Sequence, residues 1–305
     1  MATQTGLIEQ FTRQGLSKQA IDLLRTELAK HPDEAHLHAL LAVNLLREKR
    51  LVAAEHEALI ALKSEPDRAM SHLVYGHVLL ARQRYEQALA CFREAIALSP
   101  SSAEAHVGLG RCQEHLGDDE AARRSYVEAR GLDPSSADPH FRLAAMALEK
   151  RDLEVAELEA EEALSLETED PDNLVLMGMV RFQQWRLPEA TDLCLQALRI
   201  NPNHPDALRL LCWLKAREMP IVAPWWHFSG YIGRLDQRGR IWALVTMFLI
   251  YRLIFNILSD LGFEHFATGL RYVWLGFCVY TWFSPAIFEW LVEREKKRVV
   301  LKDDF

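Results

Sequence analysis

The chain has 305 residues, of which half are hydrophobic, and it carries 35 Lys and Arg against 43 Asp and Glu, a formal net charge of −8. This length allows a main domain and a smaller second one, and the negative charge argues against nucleic-acid binding, because phosphates would be repelled. The five cysteines are odd in number and form no Cys-x-x-Cys pair. They are therefore interpreted as reduced packing thiols and not as a disulfide framework.

The first 219 residues repeat with a period of 34. Alanines stand at positions 20, 54, 88, 122, 156 and 190, and prolines at 32, 66, 100, 134 and 202 keep the same step, with Thr168 where one more proline is expected. A fixed period of 34 is typical of stacked helix–turn–helix pairs, which usually form binding surfaces. The segment before the first ladder has no apolar core of signal-peptide length, so we expect this array not to be exported.

The best copies read AMSHLVYGHVLLARQRYEQALACFREAIALSP (69–100) and AEAHVGLGRCQEHLGDDEAARRSYVEARGLDP (103–134). Their spacing of Leu-Gly, Ala, aromatic and Pro positions resembles the tetratricopeptide repeat. The resemblance covers residues 1–219, and the copy at 1–34 is degenerate. It implies an all-α fold, an α-solenoid of about six helix pairs, with a single closing helix from His204 to Met219.

By this resemblance, the first helix of each pair lines the inner wall of the solenoid. Its exposed stripe, predicted as a mostly apolar partner groove, contains Val43, Met70, Leu73, His77, Val107, Arg111, Phe141, Arg142, Val175 and Met179. Such a groove suits an amphipathic helix or an apolar segment of a protein or peptide partner, with the two arginines holding an acidic group. The alternative is that these side chains pack within and between the repeats. The Lys and Asn residues with which some family members clamp a chaperone's carboxylate are absent from these slots, which disfavours a chaperone-adaptor role.

No motif for catalysis or for a cofactor is present. The sequence has no nucleophile elbow, no phosphate-binding loop and no His-Glu-x-x-His motif. Histidines at 38, 72, 106 and 140 also step by 34, but equivalent residues of stacked helices lie roughly 10 Å apart, whereas zinc needs nitrogens at ~2.0–2.1 Å. We therefore expect core packing for these histidines, no metal, no cofactor and no enzymatic activity.

The run 151–170 is strongly acidic. It is interpreted as the solvated outer helix of its pair, and a docking patch for a basic partner is the alternative interpretation.

The C-terminal part changes in composition. Residues 220–240 form an aromatic linker, and apolar runs follow at 241–258 and 272–288. Each run has close to the ~20 residues that a membrane span needs, and Trp242, Trp274 and Trp290 lie near the ends, as interfacial aromatic residues do. Arg252 interrupts the first run at a cost of roughly 2.5–3.5 kcal/mol, which the apolar residues around it offset. The sequence thus predicts a transmembrane helical hairpin over 241–292.

Basic residues flank this hairpin. Eight lie outside it, including those of the tail 293–305, whereas the loop 259–271 has only Arg271. This asymmetry puts both termini in the cytoplasm, and the resemblance to membrane-tethered repeat proteins favours the bacterial inner membrane; an organelle membrane is the other option.

The sequence therefore predicts a membrane-anchored interaction scaffold that presents a repeat groove at the cytoplasmic face, in contact with lipid through its hairpin. One alternative is a structural or assembly subunit whose hairpin packs with other membrane-protein subunits, which Arg252 would favour as a buried charge that seeks a partner. The other is a soluble oligomer that uses the C-terminal aromatic segment as its interface.

Overall fold

The computed structural model describes residues 2–218, 237–261, 263, 265–266, 268–276 and 278. These residues are helical, with turns between the helices and no β-strand. The helices are α1 Ala2–Arg13, α2 Ser17–Leu28, α3 Ala35–Arg47, α4 Leu51–Ser64, α5 Ala69–Ala81, α6 Tyr85–Leu98, α7 Ala103–His115, α8 Asp119–Leu132, α9 Ala137–Glu149, α10 Leu153–Leu166, α11 Pro171–Gln183, α12 Leu187–Ile200, α13 Pro205–Glu218 and α14 Gln237–Asp260.

The chain divides into two compact units, Met1–Glu167 and Thr168–Phe305. The division falls inside the predicted domain 1–219, at the position where threonine interrupts the proline ladder. Helices α1–α10 form five pairs in the first unit, and α11–α13 form a sixth pair and a closing helix in the second. The predicted succession of helix pairs along 1–219 is therefore present, with its closing helix at the expected place.

Side-chain caps fix the beginnings of several helices. The Ser102 hydroxyl accepts from the Ala105 amide at 3.3 Å, and the Asp118 carboxylate accepts from the Ala121 amide at 3.0 Å. Asp152 and Asp170 cap α10 and α11 in the same way. Each cap satisfies an amide that has no partner within its own helix.

The turn inside each pair uses a left-handed residue, and these residues form a further ladder with the 34-residue step. They have φ between 59° and 83° and are Gly15, Lys49, Gln83, Gly117, Arg151 and Trp185. Glycine adopts this conformation without a steric penalty, whereas the other four residues do so at a cost.

Small residues let the helices of the first unit approach one another. A Cβ added at Gly76 would lie 2.9 Å from the Phe92 ring, and one at Gly108 would lie 2.3 Å from it. The Phe92 side chain, fully buried on α6, is thus held between α5 and α7. Tyr126 of α8 packs against Gly110 in the same manner.

In the C-terminal part, the first apolar run lies within α14, and Trp274 stacks on Tyr251 with ring centroids 4.5 Å apart. Arg252, which was predicted to interrupt a membrane span, is solvent-exposed. Over the described residues, no helix is both long and apolar enough to cross a bilayer. These residues therefore give the predicted hairpin no support. The Trp242 side chain, Trp290 and most of the second run lie outside them.

Candidate functional site: the first-helix face of the repeat unit

The candidate site is the face formed by the first helices α3, α5, α7 and α9 of the N-terminal unit, which we call the first-helix face. Neighbouring first helices contact each other along α3–α5 and α5–α7. Apolar side chains beneath this face form clusters with the second helices, for example around Phe92 and around Tyr126. The clusters hold the first helices in register, so polar side chains on successive helices come close together.

Several residues predicted to offer an apolar groove lie instead in the core. Leu73, Val107 and Val175 are 7%, 5% and 3% exposed, so they pack within the repeats and leave little surface for a partner. Val43, Met70 and Phe141 of the first unit are half-buried, as is Met179 of the second. The accessible apolar area of this face is consequently smaller than the sequence predicted, and polar side chains form a larger share of its accessible surface.

Arg111 of α7 and Arg142 of α9 bring two guanidinium groups near each other on this face. Burial lowers the pKa of Arg111, and the positive charge of Arg142 lowers it further, while Asp138 acts in the opposite direction. The Arg142 Nε atom lies 3.3 Å from the Asp138 carboxylate, and its guanidinium lies 5.4 Å from the centre of the Phe141 ring. Arg111 has no ion-pair partner among the residues that the structure describes. Asp138 therefore compensates part of the positive charge that the two arginines bring to this half-buried place.

An acidic residue, Glu114, borders this arginine pair on the same stripe of the first helices, and its contacts were not predicted from the sequence. Tyr126 donates its hydroxyl to the Glu114 carboxylate at 2.7 Å, and burial raises the pKa of that hydroxyl. Further along the face, the His77 Nε2 atom lies 3.2 Å from a carboxylate oxygen of Glu104. The 34-residue ladders could not reveal these contacts because each pairs residues at different positions of the repeat.

Histidines of the 34-residue ladder contact the turns that precede their helices. The Nε2 atoms of His38 and His72 lie 2.8 Å and 2.7 Å from the carbonyl oxygens of Pro32 and Pro66, six residues earlier. His38 and His140 also contact Glu57 and Glu159 on the following helix, at 2.6 Å and 2.8 Å. These contacts tie the start of a first helix to its turn and to its second helix.

Thiols and carboxylates do not assemble into a metal site in the described part of the chain, where no group of three or more potential ligands occurs. Cys112, Cys194 and Cys212 are buried and Cys91 is half-buried, in agreement with packing thiols, whereas Cys278 is exposed.

The stacked helix pairs define the class of this protein, an α-helical repeat protein. Residues 11–69 and 73–137 match the family model described as tetratricopeptide repeat. Repeats of this kind bind protein or peptide partners and are generally non-catalytic scaffolds. No curated protein matches the chain.

Solved structures share the fold. One is a chain of the APC/C hetero-tetramer Cut9–Hcn1, with 16% identity and a TM-score of 0.64 over 69% of this chain and 42% of that one. Another is PilW, titled a widely conserved type IV pilus biogenesis factor, with 21% identity and a TM-score of 0.57 over 69% of this chain and 97% of that one. PilF of Pseudomonas aeruginosa has 22% identity and a TM-score of 0.55, with 69% and 96% covered. At such identities the likeness is one of fold alone.

Proposed function

We propose that the protein is an interaction scaffold whose first-helix face binds an acidic segment of a partner protein, with Arg111 and Arg142 as the anchoring residues. The observation that carries this proposal is the arginine pair itself. Asp138 lies within ion-pair distance of Arg142 but forms no ion pair with Arg111, so the Arg111 guanidinium can accept a carboxylate of a partner, and guanidinium groups bind carboxylates with two parallel hydrogen bonds.

The half-buried apolar side chains add a second recognition element. Phe141 directly precedes Arg142 in sequence, and Met70 lies on α5, which contacts the helix α7 that contains Arg111. Methionine adapts to varied shapes, and an aromatic ring beside a buried charge is a common anchor in interfaces. A partner segment with a few apolar residues between its acids would use both elements. This partner is more acidic than the apolar helix that the sequence predicted.

The test uses fluorescein-labelled peptides of equal length that are acidic, neutral or basic, and the full-length chain as the binding protein. We expect the acidic peptide to bind best, and Arg111→Glu together with Arg142→Glu to weaken its binding at least tenfold, because repulsion replaces two charge-assisted hydrogen bonds. Arg123→Glu together with Arg124→Glu, at two exposed positions on the outer helix α8, is the matched control for the loss of positive charge. Equal affinity for the three peptides, or equal loss in the control, would contradict the proposal.

We also infer that the C-terminal part attaches the scaffold to a membrane, with both termini in the cytoplasm. The support comes from the basic residues that flank the two apolar runs and from large apolar side chains exposed along α14, such as Leu249, Leu253 and Ile257. Carbonate washing of a cell membrane fraction tests this: the chain is expected to stay in the pellet, and its release into the supernatant would remove the inference.

A further inference from the structure

An exposed tryptophan lies at the turn between α11 and α12 in the second unit. Trp185 is 71% exposed, whereas the next most exposed large apolar side chain between residues 168 and 218, Ile200, reaches 48%. Its φ of 65° is left-handed, and glycine occupies the equivalent turn position at Gly15 and Gly117. A bulky residue adopts this conformation at a cost. Neither burial nor the backbone therefore favours a tryptophan at this turn.

An arginine from the closing helix stacks on this tryptophan. The Arg217 guanidinium lies 3.8 Å from the centre of the Trp185 ring and 4.2 Å from the centre of the Phe182 ring. Its Nη1 atom also donates to the Phe182 carbonyl oxygen at 3.2 Å. Contacts of a cation with two aromatic rings restrict its position. We call Trp185, Phe182 and Arg217 the tryptophan–arginine stack.

The Arg217 guanidinium keeps unused hydrogen-bond donors. A guanidinium has five N–H groups, and apart from the Phe182 carbonyl no residue of the described part of the chain accepts a hydrogen bond from Arg217 or forms an ion pair with it. The Arg217 side chain is exposed. The remaining donors are therefore accessible to a ligand, on a group that the two rings already hold in place.

Positive charge exceeds negative charge in the two segments that form the stack. Residues 181–189 and 213–218 contain four basic residues and two acidic ones, namely Arg181, Arg186, Lys215 and Arg217 against Glu189 and Glu218. Glu189 is already engaged, since its carboxylate lies 2.7 Å from Arg186 Nη2 and 3.4 Å from Arg181 Nε. The surplus of charge and the accessible donors of Arg217 favour an anionic ligand.

We propose that Trp185 and Arg217 form a second binding site of this chain, which takes a carboxylate side chain of a protein partner together with an adjacent aromatic side chain. The carboxylate would accept two parallel hydrogen bonds from the guanidinium, and the partner's ring would pack on the exposed part of the Trp185 ring. Tryptophan and arginine are the residue types that most often dominate the binding energy of protein interfaces.

A carboxylate fits this site better than a phosphate group does. Arg181 and Arg186 are engaged with Glu189, so the ligand meets mainly the charge of Arg217. One guanidinium balances the single charge of a carboxylate but not the roughly −1.5 to −2 of a phosphate group. Both residues of the site belong to the second unit, and the proposal therefore does not rest on the function proposed above.

Binding of short peptides to the full-length chain tests the proposal. Three fluorescein-labelled hexapeptides of glycine and serine carry Asp-Phe, Asn-Phe or Asp-Ala at their centre, and fluorescence anisotropy measures their affinities. Labelling of the chain with 5-fluorotryptophan locates the binding by ¹⁹F NMR, with the Trp185 signal assigned through Trp185→Phe. We expect the Asp-Phe peptide to shift this signal and to bind at least fivefold more tightly than the other two, because it uses both the guanidinium and the ring.

Variants of the stack separate its geometry from its charge. Arg217→Lys keeps the charge but loses the planar fork, and its affinity for the Asp-Phe peptide is expected to fall at least fivefold, as in Arg217→Gln. Arg199→Gln, at an exposed position on α12 of the same unit, is the matched control for the loss of one charge. Trp185→Gly suits the left-handed turn, so it should stay folded by circular dichroism while its affinity falls at least fivefold.

Several results would overturn the proposal. They are equal affinities for the three peptides, a Trp185 signal that does not move, and a loss in Arg199→Gln equal to that in Arg217→Gln. A response of the Trp185 signal to inorganic phosphate at lower concentration than to the Asp-Phe peptide would also overturn it. Because the signal reports on the turn after α11, binding of a peptide at the first-helix face is not mistaken for binding here.

Discussion

Replacing Gly108 by alanine tests how tightly the repeats are packed. The new Cβ would lie 2.3, 2.5 and 2.7 Å from three carbons of the Phe92 ring, far inside a normal contact. The ring has no free space to move into, because it is fully buried and Gly76 contacts its other side. Overpacking of this kind costs about 1–3 kcal/mol, and the better helix propensity of alanine offsets about 1 kcal/mol. We expect the free energy of unfolding to fall by up to about 2 kcal/mol.

Gly131→Ala is the matched control, because a Cβ at Gly131 on α8 would have no neighbour within 4 Å. Only helix propensity then changes, and the free energy of unfolding is expected to rise by about 0.5–1 kcal/mol. Urea denaturation followed by circular dichroism measures both variants. Phe92→Leu in the Gly108→Ala background should recover part of the loss, since the two sites are in contact. The packing argument fails if the two alanine variants shift stability in the same direction.

Two further predictions follow from the pKa shifts. Burial raises the pKa of Cys112 and of Cys194 to about 12, so at pH 8 both thiols should resist a maleimide until the chain unfolds. Mass spectrometry of labelled peptides with and without urea measures this, and labelling of Cys112 in the folded chain would contradict it. The interaction with His77 lowers the pKa of Glu104 below its ordinary 4.5. The ionised carboxylate therefore stabilises the fold above pH 4.5, and that contribution is lost as the pH falls through the lowered value. Glu104→Gln should be less stable than the unaltered chain at pH 7 and should approach it in acid, and a stability difference that does not vary with pH would refute this.

The helical architecture could be predicted because its signals are local and repeated. The alanine and proline ladders are set by positions that every repeat needs, and the caps at Ser102 and Asp118 lie where a helix begins. The left-handed turn ladder was missed even though it has the same period, because only Gly15 and Gly117 show the residue type that such a backbone favours. The lysine, glutamine, arginine and tryptophan at the other turns have no such signature.

The candidate site was less predictable. Spacing indicates which face of a helix a residue occupies, but not how deeply a neighbouring helix covers it, and so Leu73 and Val107 were placed in the groove although the core contains them. The proximity of Arg111 to Arg142 depends on how α7 and α9 stack. The contact between His77 and Glu104 likewise joins two different repeats. Such relations between helices arise only when the pairs are assembled.

The principal contacts among α1–α10 join helices that are at most two elements apart in the chain. Each helix pair of this unit is thus stabilised mainly by its contacts with the adjacent pairs. Excision or duplication of a whole 34-residue unit would leave matching surfaces at the new junction, so the number of modules can change in evolution without a redesign of the interior. The Phe92 ring packs against Gly76 and Gly108, which belong to two adjacent helix pairs, and the removal or duplication of a pair would have to keep this contact.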